Sequence, residues 1–158
     1  MKRLQKQAGF TLIELVVVIV ILGILAVTAA PKFLDLSSDA NTATLNAIKA
    51  SMQSASTIVH SKSLIAGNQD TDTATVTVNG ASLDIAYGYP RSDDKADWDA
   101  LLEFDTDDFT SVLVDSDTVI IYPTGMAAPD AITDACIVYY QEVTAAGNTP
   151  TIEVVDCS

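Results

Sequence analysis

Gly9-Phe10-Thr11-Leu12-Ile13-Glu14-Leu15-Val16-Val17-Val18-Ile19-Val20-Ile21-Leu22-Gly23-Ile24-Leu25-Ala26-Val27-Thr28-Ala29-Ala30 is the stretch that decides the architecture. It follows a short basic start containing Lys2, Arg3 and Lys6. From Phe10 to Ala30 there are 21 residues and one charge, Glu14. A helix of that length rises about 31 Å, enough to cross the hydrocarbon of a bilayer. An ionised carboxylate inside such a run costs at least a few kcal/mol in hydrocarbon, so its presence asks for a partner charge.

An ordinary secretory signal has a shorter apolar core with small residues after it. Here the small residue, Gly9, precedes the run, and Pro31 follows the Ala-x-Ala-like positions at once. The basic start places the first residues in the cytoplasm and the remainder outside. Cleavage after Gly9 leaves the apolar helix on the mature chain; the alternative is an uncut single-span anchor.

The rest of the chain bounds the partners. Lys2, Arg3 and Lys6 hold three of the eight basic residues, so from Phe10 onward five stand against 21 acidic ones, a net of −16. Such a surface repels phosphate backbones, and nucleic acid is not an expected partner. Some 125 residues beyond the apolar segment suffice for one core and are too few for two. The only cysteines, Cys136 and Cys157, pair in an oxidising compartment and are otherwise two buried thiols.

Leu34, Leu45, Ile48, Met52, Ala55 and Val59 recur at helical spacing. With Gly67 and Asn68 as a stop signal, this predicts one helix over about 10–66, amphipathic in its second half. Gly23 weakens it and Pro31 predicts a kink or break. Next, Thr73–Val78 and Ala81–Ala86 alternate around Asn79-Gly80, the strongest short hairpin signal. Gly88-Tyr89-Pro90 breaks that pattern. Asp94–Phe104 reads as a short helix with Trp98, Leu101 and Leu102 on one side. Phe109–Asp115, Thr118–Tyr122, Cys136–Glu142 and Thr151–Asp156 read as strands. A long helix followed by antiparallel strands is an α+β class.

Gly9-Phe10-Thr11-Leu12-Ile13-Glu14 closely resembles the processing motif of type IV pilins and pseudopilins. The resemblance covers positions 1 to about 35. It implies the pilin fold, a long N-terminal helix (about 10–66) packed on an antiparallel sheet of about four strands. It divides the chain into a leader (1–9), a membrane and filament-core helix (10–33) and a globular head (34–158). It implies cleavage after Gly9 by a prepilin peptidase and N-methylation of the new amine on Phe10. The Phe10 amine and Glu14 then become the assembly pair, with the Glu14 of one subunit neutralising the Phe10 amine of its neighbour. Gly23 and Pro31 mark a segment that melts locally in the fibre. Cys136 and Cys157 bound a loop whose interior, from Ile137 to Asp156, is a candidate for outward-facing contacts.

Within that family, Ala26–Ala66 and Gly88-Tyr89-Pro90 look most like the mannose-sensitive haemagglutinin (MSHA) pilins. This implies an inner-membrane precursor and then a homopolymeric surface fibre for attachment. An assembly ATPase, a platform protein and a secretin are the implied machinery. A type II secretion pseudopilin and a non-polymerising membrane-anchored binding module are the alternatives.

Catalysis finds no support in the residues. The single histidine, His60, sits late in the long helix, and no Ser–His–Asp, Cys–His, HExxH or phosphate-binding glycine loop occurs. No cofactor is expected. The acidic run from Asp93 to Asp108 offers Ca²⁺ candidates in Asp105, Asp107 and Asp108, but it lacks the Gly and terminal Glu of an EF-hand loop. A solvated acidic face is the simpler reading.

Overall fold

The computed structural model describes residues 10–102 and 107–157, save the side chains of residues 30, 31 and 33–35. Gly9, Glu103 and Asp105 therefore lie outside the described residues, as do the side chains of Pro31, Leu34 and Asp35. The chain divides into two units, Met1–Ser37 and Ser38–Ser158. Its elements run α1 (Leu12–Ala66), β1 (Ala74–Val78), β2 (Ala81–Ala86), β3 (Tyr89–Pro90), α2 (Lys95–Leu101), β4 (Phe109–Val114), β5 (Thr118–Pro123), β6 (Ile137–Gln141) and β7 (Thr151–Val155). This is an α+β architecture. Gly23 and Pro31 both fall within α1, which is not divided at the proline; a missing N–H removes one rung of the ladder and leaves its neighbours intact.

In the second unit, the predicted stripe of α1 is the spine of the core. Leu45, Ile48, Met52, Ala55 and Val59 are buried. Hydrophobic burial of this kind contributes about 1.5–3 kcal/mol per large aliphatic side chain. The stripe serves two sheets in succession. Leu45, Ile48, Met52 and Ala55 pack with Trp98, Phe109, Val119, Ile121, Val138, Tyr140 and Ile152, while Val59 joins Val76, Val78, Leu83 and Ile85. The helix ends where Gly67, at φ 71°, donates its N–H to Leu64 O.

The expected antiparallel sheet of about four strands is present, and a second sheet of three strands accompanies it. One has the order β1-β2-β3 and the other β4-β5-β6-β7, all antiparallel. The Asn79-Gly80 hairpin forms as read, with both residues at positive φ and Val78 opposite Ala81. What the sequence reading took for a break at Gly88-Tyr89-Pro90 is a second reversal. Tyr87 (φ 49°) and Gly88 (φ 86°) turn the chain back, so Tyr89 pairs with Ala86 and Pro90 with Ile85. Tyr87 is held in that strained region by donating its N–H to Thr71 O at 2.8 Å. Pro90, without an N–H, is tolerated because β3 is an edge strand.

The two sheets are joined by polar contacts around Pro90–Ser92. Tyr140 Oη–H donates to Pro90 O at 2.6 Å, and Trp98 Nε1–H donates to Arg91 O at 2.9 Å. Ser92 donates its N–H to Glu142 Oε2 and its hydroxyl to Asp117 O, both at 2.8 Å. The Trp98 and Tyr140 rings lie 4.3 Å apart, tilted by 54°. Burial pushes the Tyr140 phenol well above the usual tyrosine range, with the Glu142 charge adding to it.

The C-terminal segment is fastened in three more places. Cys136 and Cys157 form a disulfide. Thr42 Oγ1 on α1 accepts the Cys157 N–H at 2.9 Å, and Lys49 Nζ reaches Glu153 Oε2 at 2.7 Å.

Two outcomes follow. Tyr140→Phe leaves the buried Pro90 carbonyl without its donor and lowers unfolding free energy by about 1–3 kcal/mol, measured by urea denaturation. It also removes a loss of stability above about pH 10, where an unfolded tyrosine releases its proton before the buried one does. Replacing both cysteines by serine lowers stability by roughly 3 kcal/mol, because the loop is no longer closed in the unfolded chain.

Candidate functional site

The site read from the sequence lies at the start of α1. Phe10 is exposed and helical structure begins at Leu12. Glu14 bends back over the first turn. Its Oε2 accepts the Thr11 N–H at 2.9 Å and the Thr11 hydroxyl at 2.7 Å, while Thr11 Oγ1 accepts the Glu14 N–H at 3.3 Å. This is a capping box. Thr11 stands at the N-cap and Glu14 three positions on, each side chain satisfying the other's backbone N–H. The signal is present in the sequence as Thr11-Leu12-Ile13-Glu14, a Thr followed three residues later by Glu at the start of an apolar run.

The box uses one carboxylate oxygen. Glu14 Oε1 has no partner among the described residues. Phe10, Ile13, Val17 and Val18 surround Glu14 and form an open apolar hollow of about 290 Å³. The carboxylate also faces the positive end of the helix dipole, which favours it there. Beyond it, Leu12–Ala29 has a mean hydropathy of 3.0 and is long and apolar enough to cross a membrane; none of that window is buried.

The loop bounded by the cysteines is partly core. Ile137, Val138, Tyr140, Val143 and Ile152 are buried, and the continuous exposed stretch is Thr144–Thr149. Thr151, Glu153 and Asp156 are exposed as well, so the outward-facing surface expected between Ile137 and Asp156 comes from that stretch and these three residues. Strands β6 and β7 supply alternate side chains to the sheet's packed face, which leaves their connection and the outer positions of β7 for solvent.

The acidic run does structural work. Asp94 caps α2, its Oδ1 accepting the Ala96 N–H at 2.8 Å. Asp97 Oδ2 accepts the Asp84 N–H at 3.0 Å. Asp93 pairs with Arg91, and Asp99 with Lys95 one helical turn away. Asp107 and Asp108 are exposed just before β4, and Asp108 O accepts the Thr124 N–H. Among the described residues no group of three His, Cys, Asp or Glu is placed to hold a metal ion. Burial raises the Asp97 carboxyl above the usual range against the pull of the Asp84 N–H, and the charges of Asp84, Asp94 and Asp93 raise it further.

His60 is structural. Its ring stacks on Tyr89 with centroids 4.3 Å apart, and Nδ1 lies 3.2 Å from Gly88 O. Since a carbonyl only accepts, that geometry assigns the Nδ1 proton. A Cβ at residue 88 would lie 2.8 Å from Nδ1, so Gly88 is needed for close approach as well as for its positive φ.

The Asp97 environment gives a pH signature. The native state holds the Asp97 proton more tightly than the unfolded chain, so stability falls as pH rises through the region just above the usual aspartate value. Asp97→Asn keeps an acceptor for the Asp84 N–H and removes the buried charge. It raises the melting temperature at neutral pH, and the gain vanishes as pH falls below about 4. Thermal scans at both pH values check it.

Comparison with known proteins agrees with this N-terminal geometry. Residues 4–30 match the prokaryotic N-terminal methylation motif. The chain is 55% identical over 47 residues to the type IV narrow pilus major component PilA5 of Thermus thermophilus. That match covers 30% of this chain and 40% of the relative, so the chain spans less than half of the relative's length. No solved structure matches the chain. The chain carries a prokaryotic N-terminal methylation motif, and over the span that aligns it is similar to a type IV pilus major component.

Proposed function

We propose that the chain is a structural subunit of a type IV pilus of the MSHA type, polymerised into a surface fibre for attachment. The observation that carries this reading is Glu14, the one charge on the apolar segment, whose Oε1 is left open by the cap while Oε2 is bound by Thr11. In the proposed cycle a prepilin peptidase cuts between Gly9 and Phe10, and the new Phe10 amine is methylated. Glu14 of one subunit then accepts the Phe10 amine of its neighbour. Removing one member of such a desolvated pair costs about 3–5 kcal/mol, so the pair selects one stagger between subunits over slid alternatives. Gly23 and Pro31 permit local melting of the helix as subunits pack. The precursor sits in the inner membrane, and an assembly ATPase with its platform protein and a secretin carries the fibre outward. Thr144–Thr149 is the continuous exposed stretch of the disulfide-bounded loop, open to meet other surfaces.

The capping box makes a sharp experiment possible. Glu14→Ala removes both the cap and the charge. Glu14→Gln keeps an oxygen for the Thr11 N–H and removes only the charge. The expected outcome is that both variants are inserted and cleaved, with Phe10 as first residue by N-terminal sequencing, and that neither yields fibres by electron microscopy. Normal fibre numbers from Glu14→Gln would reduce Glu14 to a helix cap and refute the pairing.

A further inference from the structure

We propose that Asn79 is a self-modification site, where the chain deamidates without an enzyme and Gly80 supplies the attacking nitrogen. The inference stands apart from the polymerisation reading. Hydroxide removes the Gly80 N–H proton, and the nitrogen attacks Asn79 Cγ. A carbon–nitrogen bond forms, the side-chain amide bond breaks, and ammonia leaves with a proton returned from water. The product is a five-membered succinimide. Water then opens it at one carbonyl or the other, giving aspartate or isoaspartate. No electrons are exchanged, and water and hydroxide are the only co-reactants.

The turn offers exposure, a free nucleophile and a free side-chain amide. Asn79 and Gly80 are both exposed at the tip of the β1–β2 hairpin. The ladder closes at Val78 opposite Ala81, so the Gly80 N–H lies outside it. Neither that N–H nor the Asn79 amide has a partner among the described residues. Nothing lies within 4 Å of where a Cβ of residue 80 would sit, so the turn is open on the Gly80 side.

The other four asparagines lack this combination. Asn41 and Asn46 lie within α1, where the following N–H is held by the helix, and Asn46 Nδ2 also donates to Thr42 O. Asn68 is bonded to the Ser63 hydroxyl and to Thr75 O, and Gln69 follows it. Asn148 is exposed, but β-branched Thr149 crowds the nitrogen that would attack.

The change has somewhere to act. Asn79 lines an open groove of about 560 Å³ with Ser51, Ser54 and Ile58 of α1 and Leu101 of α2. Either product puts a new carboxylate on that wall. Isoaspartate also lengthens the main chain by a methylene inside a two-residue turn whose register Val78 and Ala81 fix.

The test incubates the full chain in detergent at neutral and mildly alkaline pH, then maps peptides by mass spectrometry with isoaspartate resolved from aspartate. Residue 79 is expected to convert faster than Asn148 and the other three, in proportion to hydroxide, with isoaspartate the larger product. Gly80→Ala slows conversion by about an order of magnitude, because a side chain now opposes closure. Should that variant misfold, the wild-type ranking still decides the matter. An intact residue 79 in a digest where Asn148 has converted overturns the proposal, and so does a conversion rate at residue 79 indifferent to pH.

Discussion

Burial of a single helical stripe is the constraint on which the globular unit depends. Leu45, Ile48, Met52, Ala55 and Val59 must leave water together, and one sheet of short strands does not reach all of them. The chain answers with two sheets placed in sequence along the stripe. The three-stranded sheet brings its edge strand β3 to the junction, and an edge carries unpaired backbone groups. The cluster around Pro90–Ser92 is where those groups are satisfied. Tyr140 and Glu142 at the end of β6, Trp98 of α2 and Asp117 before β5 converge there from three parts of the chain. An apolar seam alone would allow the sheets to slide, whereas directed hydrogen bonds at a buried junction favour one arrangement.

Much of this was legible from residue spacing, and the failures have physical causes. The stripe, the Asn79-Gly80 turn and the short helix near Trp98 are local patterns, and local patterns were read correctly. The return of the chain into β3 was not, because it rests on Tyr87 adopting positive φ. A bulky residue avoids that region unless tertiary contacts hold it, and the holding contact comes from Thr71, sixteen positions earlier. Which residues inside the disulfide-bounded loop are buried was not legible for a related reason. Ile137, Val138 and Tyr140 alternate faces, and which face is covered depends on Leu45 and Met52, almost a hundred residues away in sequence.

At the N-terminus the structure adds a local chemistry that the sequence reading lacked. Thr11 and Glu14 satisfy one another's N–H groups within a single molecule, which accounts for a carboxylate at that position without any second chain. A cap and an intermolecular pair are compatible, since a carboxylate has two oxygens and the cap occupies one. The local bonds hold the side chain in one orientation before any encounter, so less rotamer freedom remains to be lost when a neighbour's amine arrives. The acidic run near α2, which in sequence offers Ca²⁺ candidates but reads more simply as a solvated face, serves in good part as scaffolding. Capping α2, accepting the Asp84 N–H and pairing with Lys95 and Arg91 already occupy four of its carboxylates.

The fastening of β7 has a mechanical meaning. A pull applied at residue 157 first meets the covalent link to Cys136, with the Thr42 and Lys49 contacts alongside it. Strands that are drawn apart one hydrogen bond at a time yield at low force, while bonds strained in parallel resist until they fail together. Because the cross-link sits beyond the end of the β6–β7 ladder, tension from that side bypasses the zipper and loads the domain as a block. A protein built this way can carry drag without shedding its last strand.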